Sequence, residues 1–141
     1  MNDATSAVST LRLQPRYSDT DAMGVVYYAN YLVYFEVART SALAALGHPY
    51  WEMEKRGILI PVLSAHCDYL RPARYGDDLE VTTVRARRGR ARIRFDYVVR
   101  RAGEDAPLAT GYTEHAFVSP AGKPLRPPEE IIGLFPALPE A

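Results

Sequence analysis

Two carboxylates, Asp19 and Asp21, stand beside Gly24, and a run of tyrosines follows: Tyr27, Tyr28, Tyr31 and Tyr34. The tyrosines open a long apolar stretch of helical length. A carboxylate at the start of a helix meets backbone N–H groups that have no partner within the helix and carry the positive end of its dipole. Acid and donors together make an activating group and an oxyanion hole. The substrate class that suits a carboxylate working alone is a thioester, because its thiol leaves with a pKa near that of free cysteine, about 8.5. In this reading Asp21 either activates water as a general base or attacks the carbonyl itself. Gly24, lacking a Cβ, lets the backbone approach the substrate and is expected to contribute its own backbone to the oxyanion hole, and Asp19 is structural. The competing reading of either acid is an ordinary helix N-cap, worth about 1 kcal/mol.

Other chemistries find less support. No Gly-x-Ser-x-Gly elbow, phosphate-cradling glycine loop or dinucleotide fingerprint occurs. Cys67 lies in a strand pattern and reads as a small buried hydrophobe. His66 and Asp68 share a strand face and, with His115, form a minor candidate for a metal site; no metal or cofactor is expected.

The elements that must position these residues follow from spacing. Residues 1–8 read as a mobile tail, 9–136 as one domain and 137–141 as a second tail. Leu11, Leu13 and Pro15 alternate with polar residues as a first strand. Val26–Leu46 reads as a helix apolar on most faces, hence largely buried, stopped by Gly47 and Pro49. A short helical turn follows at 50–56. Ile58–Leu70 is extended, with Pro61 marking an edge or a bulge. Leu79–Arg87, Ala91–Arg100 and Leu108–Val118 are further strands, and Glu129–Phe135 is a short terminal helix. The expected architecture is α+β: a long central helix wrapped by an antiparallel sheet, with one strand in front and a four-strand meander behind.

The 141 residues carry no formal net charge, so neither a nucleic acid nor an acidic surface is implied as a partner. One cysteine excludes an intramolecular disulfide and fits a reducing compartment. The N-terminus lacks the pattern of a signal peptide and no apolar run reaches membrane-span length, so the expected location is cytoplasmic, with no membrane partner.

The spacing Asp-x-Asp-x-x-Gly-x-x-x-Tyr ahead of an apolar helix resembles the hotdog-fold thioesterases of the 4-hydroxybenzoyl-CoA thioesterase and acyl-CoA thioesterase type. The likeness extends through Asp68–Asp77, the meander and Gly122–Pro128. It implies that Asp21 is the catalytic acid and the backbone N–H of Tyr28 the oxyanion donor. It also implies an acyl-CoA substrate, or an acyl carrier protein in its place, and a homodimer or homotetramer built on a continuous sheet. Eight arginines and one acid fall between Arg85 and Arg101, and arginine forks suit phosphate. On such an enzyme Arg88 and Arg90, with Arg126 from the resemblance, would bind coenzyme A. Tyr27 and Tyr31 are candidates to line an acyl pocket. The alternative is a non-catalytic hotdog protein that binds acyl-CoA or acyl carrier protein.

Overall fold

In the computed structural model, which describes residues 7–138, alternating sequences lay down five strands. These are β1 (Val8–Leu13), β2 (Val62–Tyr69), β3 (Leu79–Arg88), β4 (Arg92–Arg101) and β5 (Pro107–Ala116). They form one antiparallel sheet in the order β1-β3-β4-β5-β2. Three helices accompany them: α1 (Asn30–Ala45), α2 (Tyr50–Lys55) and α3 (Glu129–Ile132). No helix is long and apolar enough to cross a membrane among the described residues.

The expected four-strand meander is a three-strand one. β3, β4 and β5 follow one another, but β2 crosses to the far edge and pairs with β5. Period-two alternation assigns a side chain to a face and says nothing about which strand lies alongside. Pro61 did signal the edge: β2 is the edge strand that follows it, and its register slips between Val62 and Ser64.

The expected tails are shorter than the sequence implied. β1 starts at Val8, opposite Val84, and residues 1–6 lie outside the described residues. Near the other end Ala137 bridges Arg87, and the Leu138 N–H donates to the Arg87 carbonyl at 3.0 Å. Residues 139–141 lie outside the described residues.

The expected helix from Val26 begins only at Asn30. Residues before it turn back instead: Thr20 bridges Val26, the Val26 N–H donates to Ala73, and the Tyr27 N–H donates to Asp19. At the other end Gly47 takes φ +92° and closes the helix, as its glycine predicted. The helix is buried on one face only. Tyr31, Tyr34, Phe35, Ala38, Ala42 and Leu43 face the sheet, while Leu32, Val33 and Val37 remain exposed. A straight helix on a single sheet offers it one stripe, however apolar the remainder is.

Phe35 anchors that stripe. Its ring stacks on Tyr97 at 4.2 Å, nearly parallel, over the register Tyr97–Gly111–Cys67. Beside it runs a buried polar chain. The Arg39 guanidinium reaches the Tyr97 hydroxyl at 3.5 Å, Tyr97 meets Thr113 Oγ1 at 2.7 Å, and Thr113 meets His115 Nε2 at 2.8 Å. His115 Nδ1 lies 3.3 Å from the Ile60 carbonyl, which only accepts, so the proton sits on Nδ1 and every later bond in the chain takes one direction.

Burial, with Arg39 nearby, pushes the His115 pKa down to about 4. The unfolded imidazole therefore takes up a proton that the folded one refuses. Stability is full above the ordinary histidine value and falls as the pH drops from about 6.5 toward 4, by about 3 kcal/mol in all. Urea midpoints measured across that window will show the decline, and a flat profile there would refute it.

Candidate active site

The two acids are handled differently by the local fold. Asp19 closes a 3-10 turn at Tyr17–Asp19 and is 4% exposed. Its carboxylate accepts the Arg16 backbone N–H at 2.9 Å, the Arg16 Nε and Nη2 at 3.2 and 3.0 Å, and the Tyr34 hydroxyl at 2.9 Å. Burial alone would raise its pKa; the Arg16 N–H and guanidinium and the Tyr34 hydroxyl outweigh it and hold the carboxyl below its usual value. Burial and the same carboxylate push the Tyr34 phenol well upward. Asp19 is thus saturated by structural partners.

Asp21 is half-buried and its oxygens are less committed. Oδ1 accepts the Met23 N–H at 2.9 Å, while the backbone N–H of Asp21 donates to Val25. Among the described residues Oδ2 has no donor. Neither acid caps α1, whose N-cap is Ala29 without a side-chain hydrogen bond. The N-cap reading therefore fails for both.

Asp21 lines a groove of about 300 Å³. One wall is the helix entry, with Met23, Val25, Val26, Tyr28 and Tyr31; the other is the end of β2 and the turn beyond it, with Tyr69, Leu70, Arg71 and Pro72. Two hydrogen bonds join the walls: the Tyr69 hydroxyl donates to the Tyr28 carbonyl at 2.9 Å, and the Ala73 N–H donates to the Tyr31 hydroxyl at 3.2 Å. The N–H groups of Tyr28 and Ala29 have no acceptor among the described residues. Asp21 and Tyr28 thus line one apolar groove, and the unpaired N–H groups of Tyr28 and Ala29 lie at the helix start beside it.

Several expected residues are placed differently. The Gly24 N–H donates to the Asp21 carbonyl at 3.0 Å, and with φ +78° this glycine makes the turn and offers no oxyanion donor. Tyr27 does not line the groove; its N–H is tied to the Asp19 carbonyl, and its ring packs on Tyr28 at 4.7 Å and is half-exposed. Tyr31 does line it, 3% exposed. Arg88 and Arg90 are exposed at the β3–β4 turn. Arg126 follows Leu125, whose N–H bonds Phe117, itself bonded to Ala91, so it lies toward the same end of the sheet. Tyr69 pairs with Ala109 and thence Val99, at the opposite end. Within one protomer the three arginines are therefore remote from Asp21. Arg85, in the same arginine-rich stretch, is buried and ties Leu134 and Ser9 together.

The candidate metal set does not assemble. His66 stacks on Tyr112 and pairs with Asp68 at 3.0 Å on the outer face, whereas His115 points into the core. Strand parity separates them. Sequence reasoning missed Tyr69, Leu70, Arg71 and Pro72 as a wall of the groove. The signal was an aromatic just ahead of a proline turn, which pattern alone does not connect with a helix about forty residues earlier in the chain.

Residues 15–135 match the model of the thioesterase-like superfamily. The putative acyl-CoA thioesterase YneP of Bacillus subtilis is 46% identical over 76 residues, which are 54% of this chain and 55% of that protein. A 1,4-dihydroxy-2-naphthoyl-CoA hydrolase of Synechococcus elongatus is 38% identical over 71% of this chain and 74% of its own length. The crystal structure of a 1,4-dihydroxy-2-naphthoyl-CoA thioesterase from Synechocystis superposes with a TM-score of 0.85 at 26% identity, covering 90% of this chain and 94% of that one. With the single-sheet architecture and the groove at the helix start, these likenesses carry one conclusion: the chain belongs to the thioesterase-like superfamily and has its hotdog fold.

Proposed function

We propose that the protein hydrolyses an acyl-CoA thioester to the free acid and coenzyme A, with Asp21 as the catalytic carboxylate and the Tyr28 N–H as oxyanion donor. The observation that carries this reading is the apolar groove lined by Asp21 and Tyr28, with the unpaired Tyr28 and Ala29 N–H groups at the helix start beside it. Water adds to the thioester carbonyl as Asp21 takes its proton; the C–S bond then breaks and the proton passes to the departing thiolate. In the second course open to this geometry the carboxylate adds first and the C–S bond breaks, releasing the coenzyme A thiolate and leaving a mixed anhydride that water cleaves to the free acid and the Asp21 carboxylate. After a single turnover in ¹⁸O water, label in Asp21 establishes the second course, with water attacking the Asp21 carbonyl of the anhydride.

The groove favours a compact apolar acyl group over a charged one. Its walls carry tyrosine edges and aliphatic side chains, and Arg71 is its one cation. Aromatic acyl-CoAs, the class named for the Synechococcus and Synechocystis relatives, suit those walls. Thiol release from short, medium and aromatic acyl-CoAs tests the proposal. No turnover on any of them would leave a protein that binds acyl-CoA or acyl carrier protein without reacting.

The exposed edge of β2 and the exposed stripe of α1 support a dimer in which two β2 strands pair antiparallel, continuing the sheet. Antiparallel pairing sets the Arg88, Arg90 and Arg126 end of one protomer beside the Asp21 end of the other. These arginines then hold the nucleotide phosphates of a substrate whose acyl end lies in the partner groove. Arg88 also pairs with Glu114 at 3.5 Å, an exposed contact that a phosphate can replace. Exchanging Arg88 and Arg90 together for glutamine is expected to raise KM about 10-fold for acyl-CoA, the loss of one charge-assisted hydrogen bond. The same acyl group on N-acetylcysteamine, which has no nucleotide, should keep its KM.

A further inference from the structure

Beyond the acid and the amides, we infer that Tyr69 is a positioning residue: its hydroxyl holds the Tyr28 carbonyl so that the helix-start amides keep the orientation in which they receive the oxyanion. This rests on the thioester-hydrolysis reading above.

The segment in question is pinned through its carbonyls. The Tyr27 N–H donates to Asp19 and the Tyr27 carbonyl accepts the Asn30 N–H at 2.9 Å. The Tyr28 carbonyl accepts the Tyr31 N–H, a long bond of 3.3 Å, and the Tyr69 hydroxyl at 2.9 Å. Tyr69 thus supplies the shorter of the two bonds to that carbonyl, and it comes from outside the helix. The peptide group it binds is the one whose N–H belongs to Ala29. A bond accepted by the carbonyl polarises that N–H and strengthens it as a donor.

The ring of Tyr69 is itself held. It meets Tyr28 edge-on at 6.2 Å and Tyr31 edge-on at 5.2 Å, contacts that steady one side of a ring about half exposed on the other. Burial, with Cys67 beside it, pushes the phenol pKa up to about 12. The hydroxyl therefore stays protonated at any pH where the thioester is hydrolysed, and it can only serve the carbonyl as a donor.

The test is Tyr69→Phe, which keeps the ring and deletes the hydrogen bond. Loss of fixed geometry at the donor is expected to lower kcat about 10-fold or more while KM stays within about twofold. Tyr50→Phe is the control: it deletes a hydroxyl-to-carbonyl bond of the same 2.9 Å length, to Ile60, away from the groove, and should leave kcat unchanged. A second readout needs no turnover. The Ala29 amide nitrogen resonance should move in Tyr69→Phe and stay put in Tyr50→Phe.

If Asp21-dependent turnover is present and Tyr69→Phe leaves kcat intact, the Tyr69 role is overturned and the thioesterase reading stands. An unmoved Ala29 resonance overturns the role equally. A wild-type protein inactive on every thioester overturns the enzymatic reading, and the positioning role with it.

Discussion

Asp21→Asn is expected to lower kcat on the best acyl-CoA by about 10²–10⁴-fold while leaving the protein as stable as before. The substitution is unusually clean here. Among the described residues the one hydrogen bond to the Asp21 side chain is the Met23 N–H on Oδ1, and an asparagine carbonyl oxygen can accept it as well. The turn around Gly24 is therefore preserved, and what disappears is the charge and basicity of the second oxygen. Steady-state kinetics paired with thermal unfolding separates this outcome from misfolding. Asp19→Asn makes the informative contrast. That carboxylate meets Arg16 and Tyr34 in a buried site, so the variant should lose about 2 kcal/mol of stability. A variant at Asp21 that retains turnover would move the chemistry to a residue outside the Asp-x-Asp pair.

The largest effect on stability is expected at Gly111. A methyl group there would meet the His66 carbonyl oxygen and lie 2.7 and 2.9 Å from Phe35 Cε2 and Cζ. Both neighbours are confined: His66 by its pairing with Tyr112, Phe35 by its stack on Tyr97. Gly111→Ala must push the helix off the sheet or open the β2–β5 ladder, at a cost of about 3 kcal/mol or more. Denaturant unfolding will show it. Because the damage falls next to Tyr69, residual folded protein should also lose activity. An unchanged midpoint would mean that helix and sheet slide apart more easily than a packed interior allows.

How far the chain could be read in advance depended on which physical signal each feature leaves. The strand faces were legible because alternation records burial directly, as in Ile93, Phe95, Tyr97 and Val99 of β4, all buried. The helix stop at Gly47 was legible because left-handed backbone all but requires glycine. Asp19 was legible as the structural member of its pair, and its carboxylate is held by Arg16 and Tyr34. The start of α1 was not legible. Val26 to Ala29 fit a helix by composition, and only the pull of Ala73 and Asp19 on the Val26 and Tyr27 amides keeps them out of it. Strand order was equally hidden, and with it the distance from Arg88 and Arg90 to the groove. Tyr69 went unnoticed because its partner, the Tyr28 carbonyl, is main chain and leaves no mark on side-chain pattern.

The crossing of β2 to the far edge also orders events during synthesis. β2 is complete at Tyr69, but β5, the strand it pairs with among the described residues, begins at Pro107, so β2 waits while β3 and β4 are made. Through that interval Val62, Leu63, Tyr69 and Leu70 have no sheet to join, although β3 and β4 can close as a hairpin as soon as both emerge. A nascent chain therefore exposes an apolar ribbon before its groove is built, and long-range pairings of this kind are the slow ones. The groove wall built by β2 is therefore set in the last step of folding, when β5 captures the strand, and the outer edge of β2 stays open after that step.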